Sequence, residues 1–164
     1  MTYAIVYSSK TGNTKMLADT IRETLTDQEC VYCGPAVPDA LQADTLYVGF
    51  WTDKGTCDKD TEAFLKTIQN KPVFLFGTCG FGVDPNYFSK ILKSCERYLN
   101  QNCTVIGSFM CQGKMPMSVR ERYVKMKAAP VHMPNIDGMI ANFDLALTHP
   151  DQNDLDHLKQ EISK

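Results

Sequence analysis

No run of apolar residues in this 164-residue chain approaches the length of a membrane span, which argues against a bilayer-crossing helix. Neither sign of charge is in excess: 17 Lys and Arg face 19 Asp and Glu, a net charge of −2. That balance gives no basic footprint for nucleic acid and no acidic tail. Met1 is followed within one residue by an apolar run, which leaves no room for a signal peptide, so the expected address is the cytoplasm. Histidine is scarce, and His132, His149 and His157 are scattered over the last third, where they read as surface or capping residues rather than ligands. No internal repeat or low-complexity segment occurs. Two phosphate-binding signatures are also missing. The P-loop pattern G-x-x-x-x-G-K is absent, and Gly77, Gly80 and Gly82 give G-x-x-G-x-G in place of G-x-G-x-x-G, after the fourth apolar run rather than the first.

Cysteine, by contrast, is plentiful. There are seven, an odd number at irregular spacing, in a chain too large to need disulfide staples. Cys30 and Cys33 form a C-x-x-C, but “CVYC” reads as a short strand, in which residues three apart point to opposite faces. No second C-x-x-C is present to complete a zinc site. Reduced, mostly buried thiols are expected, in keeping with a reducing compartment.

Five apolar, β-rich runs recur: Tyr3–Tyr7, Val31–Tyr32, Leu46–Phe50, Val73–Phe76 and Val105–Met110. Between them lie stripes at helical spacing, namely Leu17, Ile21 and Leu25, then Phe64 and Ile68, then Tyr87, Ile91, Cys95 and Leu99. Strands alternating with helices predict βαβ units and a doubly wound parallel sheet covered on both faces. Beyond Met110, a charged helix is predicted over Ser118–Lys127 and an amphipathic one over Met139–Leu147. A last helix is expected with Pro150 at or near its start. The reading is one domain over residues 1–164, with a helical extension from about residue 115.

The first turn is the most informative stretch. “SSKTGNT” follows the first strand and opens the first helix. A helix start presents unpaired N–H groups and about half a unit of positive charge, which suits phosphate. Hydroxyls of Ser9, Thr11 and Thr14 can add hydrogen bonds, and Gly12 permits close approach of the backbone. One residue would suffice to cap the helix. The loop therefore looks built to wrap a phosphate.

This loop resembles the phosphate loop of the flavodoxin family, whose pattern is Ser/Thr-x-Thr-Gly-x-Thr. Here it is Ser9, Thr11, Gly12 and Thr14, with Lys10 and Asn13 between. The resemblance extends in element order to about Met110. It implies a flavodoxin-like, five-stranded sheet in the order 2-1-3-4-5, and FMN as cofactor. The family's other two flavin loops correspond to “FWTDKGTC” and “GTCGFGVDPNY”. By that likeness Trp51 stacks on one face of the isoalloxazine ring. Phe81, between Gly80 and Gly82, or Tyr87 covers the other. Backbone groups of Thr52, Asp53, Lys54 and Gly55, and of Thr78, Cys79 and Gly80, then meet the pyrimidine edge. In the family a peptide flips at a glycine just after the stacking residue. Here that position is Thr52, for which positive φ is costly, with Gly55 further along as a substitute.

Flavodoxins are usually strongly acidic, and they end on a single closing helix. This chain departs on both counts. With “WTDKGTCD” and “FMCQGKMP” it is similar to a narrower group of small flavodoxin-like proteins associated with bilirubin reductase in anaerobic gut bacteria. That implies an electron-transfer or accessory protein, rather than an independent enzyme, supporting the reduction of bilirubin to urobilinogen by a larger reductase. The alternative is a small FMN-dependent NAD(P)H oxidoreductase acting directly on a quinone or tetrapyrrole. Phe81, Tyr87, Met115 and Met117 are the candidate contacts for a partner. The near-neutral charge implies weak salt dependence of that contact. Asp53, Asp58 and Asp84 have no visible partner that would make any of them a general acid. Lys114, in “CQGK”, is either a holder of an anionic group or a surface lysine.

Overall fold

The computed structural model describes residues 1–164. Strands β1 (Thr2–Tyr7), β2 (Glu29–Gly34), β3 (Thr45–Asp53), β5 (Pro72–Cys79) and β6 (Thr104–Gln112) form a parallel sheet in the order β2-β1-β3-β5-β6. The short β4 (Thr56–Cys57) folds back antiparallel on the end of β3. The five parallel strands alone run 2-1-3-4-5, as the resemblance implied. The helices are α1 (Asn13–Thr24), α2 (Lys59–Leu65), α3 (Pro85–Glu96), α4 (Met117–Ala128), α5 (Ile136–Ala146) and α6 (Gln152–Ile162), with a 3₁₀ turn at Pro38–Gln42. None is long and apolar enough to cross a membrane.

Alternation along the strands divides the core into two layers. Ala4, Val6, Leu46, Val48, Phe50, Val73 and Leu75 pack against Phe64, Leu65 and Ile68 around α2 and Ile91 and Cys95 of α3. Tyr3, Ile5, Tyr47, Phe74 and Phe76 pack on the other side against Leu17, Ala18 and Ile21 of α1 and Leu158 of α6. The closing helix of the sheet is thus α6. Between β6 and α6, α4 and α5 form a hairpin with a small core of its own, built on Tyr123, Ile136 and Phe143.

Two glycines make room for two phenyl rings between β3 and β5. Gly49 is paired with Phe76 and Gly77 with Phe50. Each phenyl ring lies across the glycine opposite, where a Cβ would collide with it. This exchange of ring for glycine packs the two central strands just below their carboxyl ends.

Two local expectations are corrected. Cys30 and Cys33 do not point to opposite faces, because both pack against the α1 layer. The register runs from Tyr3↔Cys30 to Ala4↔Tyr32, so Val31 is an extra residue that reverses the parity of β2. The stretch after Trp51 is not an open loop but a hairpin. Thr52 pairs with Cys57 and Asp53 with Thr56, and Lys54 (φ 52°) and Gly55 (φ 84°) form the two-residue turn. All seven cysteines are free; Cys57, Cys79, Cys95 and Cys111 are buried and Cys30, Cys33 and Cys103 partly so. His149 does not itself cap a helix: its Nδ1 lies 2.6 Å from Asp154 Oδ2, and Asp154 with Asp151 forms the capping box that starts α6.

Candidate functional site

The strand order reverses between β1 and β3, and a cleft of about 690 Å³ opens beyond their carboxyl ends and that of β5. Its first wall is the turn into α1. Gly12, at φ 89°, is the residue preceding the helix and has no side chain to cap it; of the first-turn N–H groups only that of Lys15 meets a side chain, Ser9 Oγ. That turn holds no acidic residue either. The N–H groups of Asn13 and Thr14 and the positive end of the helix dipole are thus left for an anion.

The hydroxyls of this loop have other tasks than the sequence suggested. Thr14, 1% exposed, donates its proton to Phe50 O at 3.1 Å, and Thr78 Oγ1 lies 3.2 Å from Thr14 Oγ1. A hydroxyl has one proton, so Thr78 is the donor of the second bond. Thr14 thereby staples α1 to β3 and β5. Thr11 Oγ1 donates to Lys114 O at 3.2 Å, and Asn13 Nδ2 donates to the same carbonyl at 2.8 Å. Ser9 Oγ accepts from Lys15 N at 3.3 Å. The protein thus uses two of the three hydroxyl protons itself, and the backbone N–H groups of Asn13 and Thr14 are left at the helix start. Asn13 Oδ1 is buried without a partner.

The second wall is the β3–β4 hairpin. Trp51 is half-buried at the end of β3, with Lys10 Nζ 5.0 Å from its ring centroid, a cation–π contact. Thr52 Oγ1 donates to Thr78 O at 2.9 Å. Trp51 O accepts from Asp58 N at 3.1 Å, which fixes the peptide between Trp51 and Thr52. A flip there breaks that bond, whereas Gly55 already has positive φ. Asp58 is no free acid. It is 2% exposed and accepts from Thr61 N, Thr61 Oγ1 and Trp51 N at 3.2, 2.8 and 3.3 Å. Asp84 likewise accepts from Asn86 N at 2.9 Å and caps α3.

The third wall is the β5–α3 loop. Cys79 Sγ donates to Phe81 O at 3.3 Å, and burial pushes this thiol up from its ordinary pKa, so it stays protonated near neutrality. Burial and the neighbouring Cys79 push the Tyr87 phenol up as well. Phe81 is 45% exposed, whereas Tyr87 is half-buried in the lining.

A fourth wall went unseen in the sequence except for Lys114 and Met115. It is formed by Gly113, Lys114, Met115, Pro116, Val119 and Arg122, from the segment after β6 and from α4. Gly113 N donates to Cys79 O, and Lys114 N to His149 O, both at 3.0 Å. Met115 packs against Gly80. From α5, Asn142 clamps the β5–α3 loop: its Nδ2 donates to Gly80 O at 2.8 Å and its Oδ1 accepts from Gly82 N at 2.9 Å. Gln112 Nε2 donates to Asn142 Oδ1 at 3.0 Å. An amide sixty residues downstream leaves no local signature in the sequence.

The cleft therefore brings together Lys10, Thr11, Asn13, Trp51, Thr52, Asp53, Lys54, Gly55, Thr78, Cys79, Gly80, Phe81 and Tyr87. Ser9, Gly12, Thr14 and Gly82 lie behind or beside it and do not line it. Its charge is one-sided. Lys10, Lys54, Lys114 and Arg122 line it against the single acid Asp53, in a chain of net charge −2.

A flavodoxin domain model matches residues 4–163. The flavodoxin-like domain-containing protein BilS of Clostridium symbiosum (strain WAL-14163) is 41% identical, over 94% of this chain and 90% of that protein. BilS of Clostridioides difficile (strain CD3) is 30% identical, over 92% of this chain and 88% of that protein. Among solved structures, a short-chain flavodoxin associated with a non-canonical PDU bacterial microcompartment superposes with a TM-score of 0.55 at 17% identity, over 89% of this chain and 96% of that one. Fusobacterium nucleatum flavodoxin bound to flavin mononucleotide superposes with a TM-score of 0.51 at 16% identity, over 63% and 67%. With its sheet order, the turn at Gly12 that opens its first helix and a family match over nearly its whole length, the chain belongs to the flavodoxin family.

Proposed function

We propose that the cleft binds FMN and that the protein passes electrons to a larger reductase, in support of the reduction of bilirubin to urobilinogen. The observation that carries the first step is the start of α1, where no side chain takes the N–H groups of Asn13 and Thr14, opening onto a cleft with four cations and one acid. The N–H groups of that turn hold the phosphate, with Lys10 beside them to balance its charge. The ring system fits between the β3–β4 hairpin and the β5–α3 loop, where Trp51 and Tyr87 supply aromatic faces and backbone groups supply polar contacts. FMN, when bound, supplies the redox chemistry, and the chain supplies binding, orientation and electrostatics. No adenine-sized extension of the loop argues for FAD.

The carrier role is supported by the acids near the cleft. Asp58 and Asp84 are committed to capping, which leaves Asp53 without a partner of its own. The bilirubin assignment is supported by similarity to the bilirubin-reductase-associated group and by the level of identity to the BilS proteins. A second reading, direct reduction of a quinone or tetrapyrrole with NAD(P)H, is favoured by the wall that α4 adds to the cleft and by the protonated Cys79 and Tyr87 in its lining. Anaerobic turnover of bilirubin with NADPH separates the two. The FMN-loaded protein alone is expected to be slow, and rapid conversion to require the reductase as well. Rapid turnover by the protein alone overturns the carrier role.

A further inference from the structure

The cations around the cleft exceed what one bound phosphate uses. Lys10 belongs to the turn before α1, Lys54 to the hairpin tip, Lys114 to the segment after β6 and Arg122 to α4, so they ring one opening from four segments. All four are exposed, and none of them takes part in a salt bridge. Pairing elsewhere on α4 is selective. Arg120 is held by Asp144 at 2.8 Å and Lys127 by Asp137 at 2.6 Å, both acids of α5. Lys125, three residues beyond Arg122 and so on the same helix face, is exposed and unpaired like Arg122. Glu121 is the one acid in α4. The remainder of the molecule is correspondingly more acidic than its net charge of −2 suggests.

We propose that this cationic rim docks a partner protein through an acidic surface on that partner, an inference that rests on the reading of the chain as a carrier. The phosphate of FMN, seated at the first turn of α1, cancels at most two of the positive charges. Arg122, in the wall that α4 adds, and Lys125, one turn further along the same helix, stay available. Phe81 (45% exposed) in the lining and Met117 (55% exposed) at the start of α4 add apolar contact beside the charges, the arrangement of a short-range interface steered by charge. Whole-chain charge suggested weak steering; the local charge gives strong steering, with the sign opposite to that of an acidic carrier.

The test has two arms. In the FMN-free protein, Trp51 is the single tryptophan and lines the cleft, so its quenching by iodide and by caesium reports the sign of the local field. Each relative to its effect on a free tryptophan derivative, iodide is expected to quench more strongly than caesium at low salt, and its advantage to shrink in Arg122→Gln/Lys125→Gln. An equal ratio for the two ions overturns the cationic rim. In the second arm, association of the FMN-loaded protein with the purified reductase is followed by stopped flow from about 0.03 to about 0.3 M NaCl. The rate is expected to fall roughly tenfold over that range, and the double variant to lower the low-salt rate and flatten the slope. A rate that is insensitive to salt, that rises with salt, or that is unchanged in the variant overturns the inference but leaves the carrier role standing. A protein that loads FMN yet binds the reductase at no salt concentration overturns the carrier role and this inference together. Circular dichroism of the variant checks that it is folded.

Discussion

Thr14 shows how a single side chain can serve structure while its backbone serves the ligand. Its hydroxyl lies at the junction of α1, β3 and β5, bonded to Phe50 O and to Thr78 Oγ1. Thr14→Val keeps the shape and strands both partners. It is expected to lower stability by about 1–3 kcal/mol, read as a lower urea midpoint with unchanged slope. An unchanged midpoint would show that these bonds contribute nothing. At this scale the sequence was legible in kind but not in role. The spelling of the loop located the turn and the helix start, since Gly12 and the start of α1 follow from local rules. The acceptors of Thr11 and Thr14 lie 103 and 36 residues away, and no local rule names them.

The α4–α5 hairpin acts as a buttress for the β5–α3 loop. Its small core and the bonds of Asn142 are its anchors. Asn142→Ala removes the acceptor of Gly82 N and a donor to Gly80 O. Faster hydrogen exchange at the Gly82 amide is expected, together with weaker FMN binding, at an overall cost of about 1–3 kcal/mol. Unaltered exchange at Gly82 would mean that the loop holds itself. The hairpin should also open in acid. Arg120, by its hydrogen bond above all, holds the Asp144 carboxyl below its ordinary pKa. A carboxyl depressed in the folded state contributes stability above its unfolded pKa and loses it as pH falls through the folded value. Protection of α4 and α5 amides should therefore fall below the ordinary carboxylate range, near pH 4, before that of the central strands. The strands and helices were legible because alternation and helical spacing are local. The β3–β4 hairpin was hidden because Lys54 occupies a left-handed position that sequence rules reserve for Gly, Asn or Asp. The bulge at Val31 was hidden because nothing in “CVYC” marks an extra residue.

Over the whole molecule, the proposed function depends on what lies at the carboxyl ends of three parallel strands. An ordinary doubly wound core, with Gly49 and Gly77 each beneath a phenylalanine, fixes those ends. Four loops then surround one cationic cleft, on a chain whose total charge conceals it. The layout of three of those loops was legible from the resemblance, because the strand order brings them together. The fourth was legible only at Lys114 and Met115; the part carried by α4 was not, because its placement depends on Met115 packing on Gly80 and on bonds to Lys114 O. The central claim is that the start of α1 holds the phosphate of FMN in this cleft. Calorimetric titration of the flavin-free protein with FMN and with riboflavin tests it most directly. One FMN per chain is expected, bound roughly 10- to 100-fold more tightly than riboflavin, as one or two charge-assisted hydrogen bonds would give. Equal affinity for the two flavins, or no uptake of FMN, would contradict it.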